Sequence, residues 1–175
     1  MVTGSMAVSL RGVSKIYANG VKALDSLDFD VRPGEFVSLV GASGCGKSTA
    51  LRIIAGLSEP TAGTVERQGS AVHADEGEAG GGIGFVFQEP TLMPWATVAR
   101  NVRLPLDLKQ RPPAKAAARV EAVLAQVGLQ DFAGAYPREL SGGMKMRVSI
   151  ARALVTEPGL LLMDEPFADK EIPQR

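Results

Sequence analysis

Two early stretches alternate apolar and polar residues. They are Val8 to Val13 and Leu24 to Val31, the latter with Leu27, Phe29 and Val31 on one face and Asp28 and Asp30 on the other. A period of two predicts half-buried strands. Asn19-Gly20 marks a turn between them, and Arg32-Pro33-Gly34-Glu35 is a second tight turn. That turn feeds an apolar run, Phe36 to Val40, expected to be a strand as well. Ala50 to Gly56 then reads as a helix stopped by Gly56, Glu59 to Gly63 as a loop, and Thr64 to Gln68 and Ile83 to Phe87 as short strands. The segment Asp75 to Gly82 is acidic and glycine-rich, so it is expected to be a surface turn. The single histidine, His73, beside it is expected at the surface, because no second His or Cys nearby suggests a metal.

From Pro90 to about Val155 the period lengthens to that of helices. Thr97 to Leu104 is one helix, expected to end at Pro105. Pro112-Pro113 opens another over Ala114 to Val127, with Ala116, Val120, Val123, Leu124 and Val127 as its apolar stripe and Gly128 as its stop. A third follows Leu140-Ser141-Gly142-Gly143-Met144 and carries Met144, Val148, Ala151 and Val155 on one face. Pro158-Gly159 resets the chain before Leu160 to Met163, a buried strand ending in Asp164-Glu165-Pro166. The alternation of strands and helices makes this an α/β chain.

Composition adds exclusions. Nineteen basic and nineteen acidic residues give zero formal net charge, so broad attraction to nucleic acid is not indicated. One cysteine, Cys45, rules out an internal disulfide, as in a reducing compartment. No apolar run approaches bilayer length, and Met1 to Val8 lacks the charged start and apolar centre of a leader. The chain is therefore expected to be neither secreted through a signal peptide nor integral to a membrane.

The candidate chemistry concentrates where Phe36–Val40 meets the first helix. Gly41-Ala42-Ser43-Gly44-Cys45-Gly46-Lys47-Ser48-Thr49 has the spacing of a P-loop, with the required apolar run before it and helix after it. Glycines at 41, 44 and 46 let the backbone approach phosphate oxygens, and amides opening the helix face the anion. Lys47 is suited to the β- and γ-phosphates and the Ser48 hydroxyl to Mg²⁺. Cys45 reads as a small residue at a variable loop position. Tyr17 is either a packing tyrosine or a ring on which a purine stacks. Gln88 ends a strand before Glu89-Pro90, where its amide can meet Mg²⁺ or a water beside the γ-phosphate. Asp164 is placed to hold Mg²⁺ and Glu165 to polarise the attacking water, provided the strand ends there, since neighbouring strand residues point apart. Ser141 is a good N-cap, and Gly142-Gly143 makes a second helix start suited to an anion. Trp95, in Met93-Pro94-Trp95, is either core filler or an interface anchor.

Together these motifs resemble the nucleotide-binding subunit of ATP-binding cassette (ABC) transporters over roughly Val8 to Phe167. They comprise the P-loop, a glutamine loop at Gln88, the signature Leu140 to Gly143 and a Walker B strand ending at Asp164-Glu165. The resemblance implies a P-loop ATPase fold with a central, mostly parallel sheet, an antiparallel β subdomain and a helical subdomain. The nucleotide-binding core would take in about 1–89 and 156–175, and the helical part about 90–155. It also implies adenine stacking on Tyr17, ATP and Mg²⁺ as cofactors, and a head-to-tail dimer in which the signature of one subunit meets ATP on the P-loop of the other. Membrane permease subunits would dock near Met93, Pro94 and Trp95, a periplasmic or extracellular solute-binding protein would complete the system, and the subunit would sit at the cytoplasmic face of the membrane. Met144, where most relatives carry glutamine, and Leu92-Met93-Pro94-Trp95 are similar to importers of nitrate, sulfonates and taurine.

The chain also departs from that pattern. Ala168-Asp169-Lys170-Glu171 stands where the family runs Gly-Ala-Leu-Asp, and the family's switch histidine has no counterpart before Arg175. The resemblance places the strand carrying that histidine between the P-loop strand and the Walker B strand, so a gap in the sheet, poor stability and feeble or absent hydrolysis are expected. An inactive nucleotide-binding remnant therefore stands as an alternative. DNA-repair ATPases share the motifs but separate them by coiled coils, and no heptads lie between Gln88 and Ser141. No Asn-Lys-x-Asp guanine-reading motif is present, which argues against a GTPase.

Overall fold

In the computed structural model, which describes residues 6–67 and 82–166, strand β1 (Val8–Ile16) is flanked by β2 (Lys22–Val31) and β3 (Ala62–Arg67), both antiparallel to it. The chain divides into two compact units, Met1–Gly77 and Glu78–Arg175. Gln68, His73, the turn at 75–81 and the residues from Phe167 onward lie outside the described residues.

In the first unit, the alternation along β1 and β2 puts Val8, Leu10, Val13, Leu24 and Val31 inside. Helix α1 (Lys47–Ile54) buries Ala50, Ile53 and Ile54. Its C-terminal carbonyls need partners from outside the helix, and Arg67 of β3 supplies one by donating from Nη2 to the Ile53 carbonyl at 3.1 Å. The expected strand Phe36–Val40 is not one. It has no ladder partner among the described residues, and Phe36 and Val40 are 93% and 92% exposed. Strand structure is a property of a pair, so an apolar run without a neighbour stays irregular whatever its propensity.

In the second unit, β4 (Ile83–Val86) and β5 (Leu160–Met163) pair in parallel, Ile83 opposite Leu160 and Val86 opposite Met163. Parallel pairing requires a crossover. Here it is long and contains helices α2 (Val98–Leu108), α3 (Pro113–Gln126) and α4 (Gly142–Leu154), with single 3₁₀ turns at Gln130–Phe132 and Pro137–Glu139. The expected stripes pack into one core: Ala116, Val120, Val123 and Leu124 of α3, Val148 and Ala151 of α4 and Val155 beyond it, with Val98, Val102 and Leu106 of α2. Met146 and Ala153, on another side of α4, pack with Val86 of β4. Helices α3 and α4 also cap each other. Arg119 donates to the Leu154 and Val155 carbonyls at 3.1 and 3.2 Å, and Arg147 to the Val127 carbonyl at 2.9 Å.

Helix α2 does not stop at Pro105 as expected; it runs through it to Leu108. An interior proline costs about 3 kcal/mol. Burial of Leu106, about 1.5–3 kcal/mol for such a side chain, offsets most of that. Closing bonds from Lys109 N–H to the Pro105 carbonyl and from Arg111 N–H to the Leu106 carbonyl complete the end.

One buried polar side chain shapes the loop before α2. Asn101, fully buried, accepts from Met93 N–H at 2.8 Å and donates to the carbonyls of Met93, Ala96 and Thr97 at 3.2, 3.0 and 3.0 Å. It thereby holds Trp95 outward at 74% exposure, which removes the core-filler option for that residue. Asn101→Ala would leave several of these groups without partners and is expected to cost about 2–4 kcal/mol; urea unfolding followed through Trp95 fluorescence measures it.

Candidate functional site

The residues singled out from sequence fall into one group in the first unit and two in the second. In the first unit, the turn from Ala42 to Gly46 closes with Cys45 N–H donating to the Ala42 carbonyl at 3.2 Å, and Gly46 is the N-cap of α1. Gly46 has φ +98°, and a Cβ there would run into the Ala23 carbonyl and lie 2.8 Å from Leu24 Cδ2. Only glycine fits, because the loop is pressed against β2 while turning left-handed. As a glycine, Gly46 brings no capping side chain to the start of α1. The Lys47 ammonium folds over the loop and donates to the Gly41 and Ala42 carbonyls at 2.9 and 3.2 Å. A cation folded over a glycine-rich loop that leads into a helix start is a combination suited to a phosphate chain.

Tyr17 joins this group from the far end of β1. Its hydroxyl lies 3.2 Å from Thr49 Oγ1, on the first turn of the phosphate-loop helix. The hairpin Tyr17–Val21, closed by Tyr17 N–H to the Val21 carbonyl at 2.9 Å, presents the ring 40% exposed. The Lys15 ammonium stands 5.6 Å from its centroid while donating to the Glu59 carbonyl. Gly41, Ala42, Ser43, Gly44 and Cys45 are exposed, Gly46 is buried, and Lys47, Ser48 and Thr49 are half-buried, with the aromatic meeting this stretch at Thr49.

In the second unit, Gln88 and Glu165 meet although 77 residues apart, with Gln88 Nε2 donating to Glu165 Oε2 at 3.4 Å. Asp164 ends β5, its N–H donating to the Val86 carbonyl at 2.9 Å, and is 4% exposed. The strand does end there. Glu165 takes φ +46°, so consecutive carboxylates escape the strict divergence of a strand. Of the residues read for Mg²⁺, Ser48 lies in the first unit and Gln88 and Asp164 in the second, and each carries a hard oxygen of the kind that ion takes.

The remaining group is the start of α4. Ser141 Oγ accepts from Met144 N–H at 3.2 Å, as an N-cap should. Leu140 is buried and Met144 packs partly against the helical core, whereas Ser141, Gly142 and Gly143 are exposed. A Cβ at Gly142 or Gly143 would meet nothing within 4 Å. These glycines answer no steric need of the chain's own fold.

Two contributors escaped sequence reading. Thr91 has φ +46°, unusual for a β-branched residue, and Arg152 of α4 holds it through two hydrogen bonds and the neighbouring Pro90 carbonyl through a third. Burial lowers the Arg152 pKa from its ordinary value. Neither has a sequence signal, since Arg152 simply borders the stripe of α4.

This arrangement of antiparallel sheet, parallel pair and helices is that of solved ATP-binding cassettes. A dimeric post-hydrolysis structure of the cassette MJ0796 bound to ADP and Pi matches with TM-score 0.79 and 37% identity, over 92% of this chain and 75% of that one. The structure of cbiO1 from Clostridium perfringens, part of the cbiONQ complex, matches with TM-score 0.77 and 28% identity, over 92% and 66%. The family described as ABC transporter matches residues 24–168, and the chain belongs to it. The aliphatic sulfonates import ATP-binding protein SsuB 1 of Xanthomonas axonopodis pv. citri is 49% identical, over 84% of this chain and 57% of that protein. The nitrate import ATP-binding protein NrtD of Synechocystis is 48% identical, over 87% and 56%. The chain thus spans little more than half the length of these relatives.

The two kinds of glycine predict opposite outcomes. Gly46→Ala should destabilise by at least about 1–2 kcal/mol from left-handed strain alone. Gly142→Ala should be neutral or stabilise by up to about 1 kcal/mol. Urea denaturation of the two variants makes the comparison.

Proposed function

We propose that this chain is the ATP-binding and ATP-hydrolysing part of an ABC importer subunit, peripheral to the cytoplasmic face of the membrane, for sulfonates, nitrate, taurine or similar small anions. The observation that carries it is the first-unit loop: Gly46 where no other residue fits, the start of α1 directly after it, Lys47 over the loop and Tyr17 against Thr49. Lys47 would exchange its bonds to Gly41 and Ala42 for phosphate oxygens, and the opening amides of α1 would hold the same anion. Tyr17 offers its ring to the adenine. Ser48 and Asp164, with Gln88, would hold Mg²⁺, which when bound neutralises charge on the phosphates. Glu165 orients and deprotonates the attacking water, with Gln88 beside it. In this assignment residues 1–89 and 156–175 form the nucleotide-binding core and 90–155 the helical part.

The exposed, sterically open start of α4 supports a role between subunits, since Ser141, Gly142 and Gly143 are free to approach a nucleotide on a second copy. Trp95, held out by Asn101, supports a permease contact at Met93, Pro94 and Trp95. A solute-binding protein belongs to the same proposed assembly. Among the described residues no helix is long and apolar enough to cross a membrane. A second reading, nucleotide binding without turnover, is favoured by the unladdered and exposed run Phe36–Val40 leading into the phosphate loop.

Lys47→Ala removes charge-assisted bonds to the phosphates, so ATP affinity should fall at least about tenfold. Equilibrium binding of ATP with Mg²⁺ measures that, and unchanged affinity refutes the nucleotide site. Phosphate release by the unsubstituted protein separates the two readings: steady turnover supports the first, and binding without release supports the second.

A further inference from the structure

Arg152 lies eleven residues along α4 from its N-cap, about 16 Å at the helical rise. Its guanidinium donates to the Thr91 carbonyl, the Pro90 carbonyl and Thr91 Oγ1, each at 2.9 Å. All three acceptors are neutral, and among the described residues no carboxylate is paired with it. Placing a half-buried cation on a loop backbone costs desolvation that a simple surface contact would not repay. The loop pays in turn: Thr91 is held left-handed, a conformation that costs a β-branched residue of order 1–3 kcal/mol. That conformation turns both carbonyls and the hydroxyl toward one planar fork, the shape only a guanidinium matches.

Three residues upstream, Gln88 contacts Glu165. Downstream, Asn101 separately holds Met93 to Thr97. The segment Gln88–Thr91 is therefore tied to Glu165 at one end and to α4 at the other. We infer that Arg152 is a positioning residue that couples α4, and with it the Ser141–Gly143 start, to the placement of Gln88 against Glu165. The coupling rests on the functional reading for its consequence in turnover, and on geometry alone for its existence. A shift of α4 along its axis would pull on Pro90 and Thr91 through a rigid three-bond clamp, and so reset the Gln88–Glu165 contact.

Arg152→Lys keeps the charge but cannot span three acceptors. In the full 175-residue chain, it should raise amide exchange across 88–92 about tenfold while leaving α2 and α3 protected, as expected of local opening. It should also shift the Gln88 side-chain amide resonances. The control Arg119→Lys, which likewise loses bonds to backbone carbonyls, should not. In a Thr91→Gly background, where positive φ costs nothing, the effect of Arg152→Lys on exchange should shrink to about threefold or less. Where the protein turns over ATP, kcat should fall about tenfold with KM within twofold. Unchanged exchange at 88–92, or a rise spread evenly through α2, α3 and α4, overturns the inference. Loss of ATP binding or turnover in the unsubstituted protein would count against the functional reading instead, and the exchange and resonance results would still decide the clamp.

Discussion

Burial of α4 on two sides is the constraint on which the second unit depends. Val148, Ala151 and the following Val155 face α2 and α3, while Met146 and Ala153 face β4. A helix committed on two faces cannot rotate without opening one core or the other, and packed interiors tolerate little of that. Its ends are fixed too, by the Ser141 cap and by Arg119 on the last carbonyls. This rigid rod carries an exposed glycine pair at its start and the Thr91 clamp near its end, so separate pieces of candidate chemistry share one mechanical element.

The first unit solves a different problem. An antiparallel sheet with one helix on it leaves the loop between β2 and α1 to be shaped by close contact, and Gly46 against Ala23 does that shaping. The proposed anion cradle is therefore built mostly from backbone, with Lys47, Ser48 and Thr49 as its distinctive side chains. The unladdered Phe36–Val40 run shows the other side of the same logic. It has the composition of a buried strand, yet composition alone cannot make a ladder.

Membership in the ABC transporter family and the cassette fold agree with the motif pattern. The chain covers only part of each relative. In the second unit α2, α3 and α4 share a buried apolar core, and in the first α1 buries Ala50, Ile53 and Ile54.

Much of this was legible in the sequence because it is local. The two-residue alternation of β1 and β2, the stripes of α3 and α4, the Ser141 cap and the phosphate-loop glycines each depend on neighbours a few residues away, where spacing dictates which groups meet. The course of α2 through Pro105, the failure of Phe36–Val40 to become a strand, the outward hold on Trp95 and the left-handed Thr91 are not local. Each is decided by a partner distant in sequence or by its absence: Leu106 in a shared core, a missing ladder, the amide of Asn101, the guanidinium of Arg152. Side-chain type and spacing set what a segment can do, and only three-dimensional packing selects which partner it meets, because the deciding energies come from burial and hydrogen bonds between residues that the chain brings together late.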